Sequence, residues 1–350
     1  MKSTQFAARL ALAALLGSTS FASAADEPRP SAPAAASPET KAPADPAKPA
    51  GAKKPAAKPA APVAPPPTES NVRYGTHERH VLDFWKAESS EPTPLVFVIH
   101  GGGWRGGDKE KIGFVNVKQA LAAGLSVVSI NYRYVSHAPA DKVEPPVKAP
   151  LHDAARALQF VRSKASEWNL DKTRVGATGS SAGACSSLWL AFHDDLADPQ
   201  SSDPIAREST RLTCAAVNGA QTSLDPQQMK EWTPNSNYGA HAFGITGKEG
   251  VTAFAQFLAD REKIAPLIAE YSPYALVSAN DPPIYLIYGA PPALGQEQKD
   301  PTHSANFGLK LQEKCAAEHV ACELVYPGAP DVKHKTITDF LIDALKPGAK

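Results

Sequence analysis

Gly179-Ser180-Ser181-Ala182-Gly183 follows the short apolar run Arg174-Val175-Gly176-Ala177-Thr178 and precedes a helix-like stretch from Ala184 to His193. The pattern is strand, sharp turn, helix, with a serine at the apex. The flanking glycines lack the Cβ atoms that would collide where a strand and a helix cross closely, so Ser181 can be held exposed at a strained backbone angle. Its hydroxyl then points into whatever cleft lies above the sheet.

Upstream lies Pro94-Leu95-Val96-Phe97-Val98-Ile99-His100-Gly101-Gly102-Gly103-Trp104. A continuous apolar run ending in consecutive glycines reads as a buried parallel strand that enters a loop approached closely by something else. The N–H groups of Gly101 and Gly102, with that of Ala182 just after the serine, are expected to converge on one spot as an oxyanion hole. One such donor is worth about 3 kcal/mol of transition-state stabilisation. His100 to Trp104 together with the serine elbow resemble the α/β-hydrolase superfamily, in particular its esterase and lipase branch with an HGGG-type loop. Within that branch, Trp104-Arg105-Gly106-Gly107-Asp108-Lys109 is most similar to feruloyl-esterase-like and hormone-sensitive-lipase-like carboxylesterases.

From about residue 71 onward, short apolar strands alternate with amphipathic stretches. Val72–Tyr74 and Val81–Trp85 read as a hairpin, and Leu95–Ile99, Leu125–Ile130, the elbow strand, Cys214–Asn218, Pro283–Gly289 and Ala321–Tyr326 as further strands. Helices are expected over 112–123, 150–168, 253–268, 305–318 and 337–345. The alternation predicts an α/β fold with a doubly wound, mostly parallel sheet, whose ligands bind at the carboxyl ends of the strands. The resemblance implies the α/β-hydrolase fold over 69–350, with a cap-like insertion at about 219–274.

The first 24 residues carry Lys2, Arg9, an apolar stretch from Leu10 to Leu16, and Ala22-Ser23-Ala24. This is the layout of a cleaved secretory signal, too short to span a bilayer, so a secreted or periplasmic protein without a transmembrane segment is expected. Residues 25–68 are read as a disordered linker, because 13 of the chain's 33 prolines and 14 alanines fall in 26–68, leaving little apolar surface to offset ordering. A formal net charge of zero over 350 residues offers no argument for nucleic acid as a partner. Cys185, Cys214, Cys315 and Cys322 show no C-x-x-C spacing, which removes zinc and redox motifs and leaves disulfides and buried thiols both open. Oligomeric state has no signature in the sequence.

Ser181 needs a base, because a serine hydroxyl attacks usefully only as its proton is taken. Ten histidines are available. The chain order of the superfamily, nucleophile then acid then histidine, implies His334, between the last strand and the last helix, over His319 and over His303, which precedes the helix at 305–318. The resemblance places the acid shortly after the penultimate strand. Residues 290–299 intervene there before Asp300, which is taken as the acid behind a loop insertion; Glu297 and Asp331 are its rivals, and Asp281 precedes the strand. His100 is expected to brace the glycine loop, Trp104 to pack it, and Asp153 and Asp171 to serve structure alone.

The resemblance thus implies an exported serine carboxylic-ester hydrolase working through an acyl-enzyme, with no metal or cofactor. Its substrates are expected to be short acyl or polysaccharide-linked esters. A non-catalytic glycan-binding module and an amidase or formamidase of the same fold are the alternatives. No motif marks the substrate-binding residues.

Overall fold

A computed structural model describes residues 63–346 of the chain. The expected signal and most of the expected linker therefore lie outside the described residues.

The chain forms β1 (Glu69–Arg73), β2 (Val81–Trp85), β3 (Thr93–Ile99), α1 (Val117–Ala122), β4 (Ser126–Ile130), α2 (Lys148–Ser163), α3 (Ala165–Trp168), β5 (Leu170–Ser180) and α4 (Ala182–Phe192). It continues through β6 (Cys214–Asn218), α5 (Pro226–Trp232), α6 (Ala253–Ala259), α7 (Ala265–Tyr271), α8 (Pro273–Leu276), β7 (Ile284–Ile287), α9 (Ala305–Ala317), β8 (Cys322–Val325) and α10 (Ile337–Leu345). The eight strands make one sheet in the order β1-β2-β4-β3-β5-β6-β7-β8. β2 runs antiparallel to both β1 and β4, and every other pairing is parallel. The doubly wound α/β expectation therefore holds.

Side-chain alternation along the strands assigns the two faces. Leu95, Phe97 and Ile99 of β3 join one buried cluster with α2 and α4, whereas Val96 and Val98 join a second with α1 and α10. On β7, Ile284 and Leu286 face the first cluster and Tyr285 the second.

Two expected helices are shorter than their apolar periodicity suggests. The stretch 112–123 is helical only from Val117, where the Asn116 side chain accepts the Gln119 N–H and caps the start. The stretch 253–268 breaks at Asp260 into a 3-10 turn before Pro266 opens a new helix near its start. Met229, Trp232, Phe257, Ile268 and Tyr271 share the buried cluster of α2 and α4.

Register lines up the carboxyl ends of the central strands. Ile99 pairs with Gly179, Ser180 with Asn218, and Asn218 with Ile287, so the segments leaving β3, β5, β6 and β7 emerge along one edge.

Candidate active site

Ser181 occupies the turn between β5 and α4 at φ 54° and ψ −121°. Such a conformation costs a non-glycine residue about 1–3 kcal/mol and persists only where the surroundings impose it. Here they do. Gly183 lies directly against the carbonyl oxygens of Ile99 and His100, where a Cβ would overlap backbone. The Ser181 N–H is held by Asn218 O at 3.0 Å.

The 101–107 loop runs beside this apex, and a Cβ built on Gly101 would meet Ser180 O and, at 3.4 Å, the Ser181 Cβ. The loop closes on itself as the Arg105 and Gly106 N–H groups donate to Gly102 O. His100 braces it as expected: its ring stacks on Tyr132 at 4.2 Å, and its Nδ1 lies 2.7 Å from Gly101 O. Burial lowers its pKa to about 4, against the opposing bond to Gly101, so the ring is neutral and Nδ1–H donates. Trp104 is fully buried and donates Nε1–H to Ser186 Oγ at 3.0 Å, in keeping with its packing role.

Sequence reasoning missed the residues that hold this loop from outside. Arg79, on the turn between β1 and β2, donates to Tyr132 O at 2.7 Å and Gly107 O at 3.2 Å, faces His100 Nε2 at 3.3 Å, and lies 4.0 Å over the Tyr134 ring. From the 219–274 segment, His241 Nε2–H donates to Gly103 O at 2.9 Å. Burial, reinforced by the charge of Arg105, lowers the His241 pKa to about 4. Tyr238 lies beside Gly103 with its hydroxyl buried and unpartnered among the described residues. No motif announces any of these three. Asp153 proves structural, buried between Arg133 and His80.

The base expected from the superfamily order is not the one the structure brings to Ser181. His303 Nε2 lies 2.9 Å from Ser181 Oγ, and His303 Nδ1 lies 2.8 Å from Asp300 Oδ2. Because a carboxylate only accepts, Nδ1–H donates to Asp300, which leaves Nε2 free to accept the serine proton. Asp300 Oδ1 also accepts the His303 N–H at 3.2 Å, so acid and base share one 3-10 turn, Pro301–His303, ahead of α9. Partial burial raises the Asp300 pKa, but the bond and charge of His303, with backbone N–H groups, outweigh it and bring the carboxyl below its ordinary value. Asp300 thus faces His303, while its rival Glu297 is exposed on the preceding loop.

His334 belongs to a different part of the molecule. Glu323 of β8 accepts its N–H at 2.7 Å and faces its Nδ1 at 2.6 Å, Asp343 lies 3.2 Å from its Nε2, and its carbonyl accepts the Tyr285 hydroxyl at 3.3 Å. Tyr285 belongs to the buried cluster of α10, and its register leads through Ala216 to Thr178, below the edge. The β8–α10 loop turns at Tyr326–Ala329, where the Ala329 N–H donates to Tyr326 O. His334, with Asp331, lines a surface cavity of about 590 Å³ there. All four cysteines are free thiols. Among the described residues no group of three His, Cys, Asp or Glu is placed to hold a metal ion, and no helix is long and apolar enough to cross a membrane.

Three buried neutral histidines carry a pH prediction. Burial lowers the pKa of His100, His152 and His241 to about 4 each. Between the unfolded value of about 6.5 and 4, the unfolded chain binds protons that the folded chain does not, so stability falls as pH falls through that window. The melting temperature should drop from pH 7 to pH 4.5, and His152→Phe should flatten the drop. Equal slopes for variant and wild type would refute the assignment.

A strained serine apex in a sheet of this strand order defines the α/β-hydrolase class. Within it, the BD-FAE family model matches residues 82–298, and the chain belongs to that family. The match ends just before Asp300-Pro301-Thr302-His303. The chain is 32% identical over 124 residues to the carboxylesterase NlhH of Mycobacterium tuberculosis, covering 35% of this chain and 37% of that protein. It is 29% identical over 153 residues to a probable carboxylic ester hydrolase, LipM, of the same organism, covering 42% of this chain and 33% of the other. The alignments thus span about a third of each of these relatives. Among solved structures, a truncated carbohydrate esterase from gut microbiota superposes with a TM-score of 0.57 at 19% identity, over 79% of this chain and 95% of that one. An acetyl ester-xyloside bifunctional hydrolase from Caldicellulosiruptor lactoaceticus gives 0.51 at 22% identity, over 70% and 77%.

Proposed function

We propose that this protein is a serine carboxylesterase acting through an acyl-enzyme. The observation that carries the reading is the continuous relay from Ser181 Oγ through His303 to Asp300, at 2.9 and 2.8 Å. Ser181 Oγ attacks the ester carbonyl while its proton passes to His303 Nε2, and Asp300 steadies the imidazolium. The negative oxygen of the tetrahedral intermediate is held by the N–H groups of Gly101, Gly102 and Ala182. Collapse expels the alcohol with the proton from His303. Water then enters, gives a proton to the same nitrogen, and releases the acid. The names of the carboxylesterase relatives support the same reaction type.

The relay is open to solvent, with the His303 side chain 40% and the Asp300 side chain 63% exposed. Such a site suits an ester whose alcohol portion is too large to be enclosed, which supports acyl groups carried on carbohydrate. The amino-terminal pattern of residues 1–24 supports export, which sequencing of the mature amino terminus from cell fractions would test.

Purified protein should hydrolyse short-chain nitrophenyl esters, with activity falling as the acyl chain lengthens, and should release acetate from acetylated xylan. Comparison with methyl ferulate and with nitroanilides separates acetyl, feruloyl and amide substrates. A folded protein inert toward every ester would overturn the proposal.

A further inference from the structure

We propose that Gln221 is a positioning residue that holds the His303 turn against the serine elbow; the inference rests on the relay proposed above. Gln221 follows β6, is completely buried, and donates Nε2–H to Thr302 O at 2.7 Å and to Gly219 O at 3.1 Å. The amide orientation is unambiguous, since reversing it would set an oxygen against two carbonyl oxygens. Thr302 sits between Asp300 and His303, so this bond fixes the turn that carries both acid and base.

The same short segment touches both Ser181 and His303. Asn218 O accepts the Ser181 N–H at 3.0 Å, and the Gly219 N–H donates to Ile287 O at 2.9 Å. Gly219, at φ 59°, lies under the histidine ring, where an added Cβ would stand 3.4 Å from Cδ2. Tyr288 OH donates to Ala220 O at 2.9 Å and Thr222 Oγ1–H to Phe307 O at 2.8 Å, anchoring the segment to the end of β7 and to α9. Residues 218–222 are therefore the rigid piece that sets the distance between nucleophile and base. That role matters here because the base sits on an exposed turn of three residues, Pro301–His303, with only Asp300 and α9 beside it in sequence.

A displacement of about 1 Å at a reacting group costs about 10²-fold in rate. Gln221→Met keeps the volume and removes the donor, and Gln221→Asn keeps an amide that falls one methylene short of Thr302. On 4-nitrophenyl acetate, either variant should lower kcat about 10- to 100-fold with KM within about threefold. Inactivation by phenylmethanesulfonyl fluoride, which reports the reactivity of the serine without ester binding, should slow in parallel. A folded variant with kcat within twofold of wild type, or a raised KM with unchanged kcat, would overturn the proposal. So would failure of both variants to fold, which would make Gln221 a residue of the fold rather than of the relay. Ser181→Ala, run beside them, separates the two levels: retained turnover in that variant refutes the relay itself, while its loss beside unaffected Gln221 variants refutes the positioning role alone.

Discussion

Ser181→Ala and His303→Ala should each lower kcat on short nitrophenyl esters by about 10⁵- to 10⁶-fold, and the double variant should be no worse than either. The two groups act as a unit. Without the imidazole the hydroxyl keeps its proton, and without the hydroxyl the imidazole has no nucleophile to serve. What remains is the contribution of the glycine loop and of substrate binding, about 10³ over the uncatalysed reaction. His334→Ala should behave differently. His334 is tied to Glu323 and Asp343 on the α10 face, so its removal leaves a half-buried carboxylate without its partner and lowers the melting temperature. Turnover per folded molecule should stay within about threefold of wild type, since nothing in its surroundings reaches Ser181. The measurement is kcat and melting temperature for the four variants in parallel. A collapse in His334→Ala with His303→Ala active would reverse the assignment.

The second large effect is expected at Asp300. Asp300→Asn presents an amide N–H or O to His303 in place of a carboxylate, and where the N–H faces Nδ1 the ring proton moves to Nε2, which then can no longer accept from Ser181. A buried acid in this role is worth about 10⁴ in turnover. Asp300 is exposed, and water can replace part of its stabilisation of the imidazolium. A loss of about 10³-fold is therefore expected, with little change in melting temperature, because the asparagine oxygen still accepts the His303 N–H that caps the turn. Glu297→Gln, whose side chain is exposed on the neighbouring loop, should leave turnover unchanged. Equal activity of Asp300→Asn and wild type would remove Asp300 from the relay.

Local chemistry was enough to read the succession of strands and helices along the chain, the elbow and the glycine loop. Each depends on a short run of sequence: apolar strands, glycines where backbones cross, a serine between them. Asp300 was legible for a weaker reason, its place ahead of α9. The choice of histidine was not. Chain order pointed to the segment after β8, but there Glu323 holds the N–H and Nδ1 of His334. The signal for His303 was present in Asp300-Pro301-Thr302-His303, where an aspartate cap, a proline at the first position of the turn and a histidine three residues on from the acid form a compact acid and base pair. Spacing alone does not say what such a pair faces.

The sequence by itself determined the class of fold, the serine apex and the loop beside it, because these are set by contacts within strand, turn and helix. Only the tertiary structure decided which imidazole meets Ser181, and that Arg79, Gln221, Tyr238 and His241 surround the site. Their positions follow from how β6, the β1–β2 turn and the 219–274 segment come together across the sheet edge, a long-range packing outcome with no local trace in the residues that carry it.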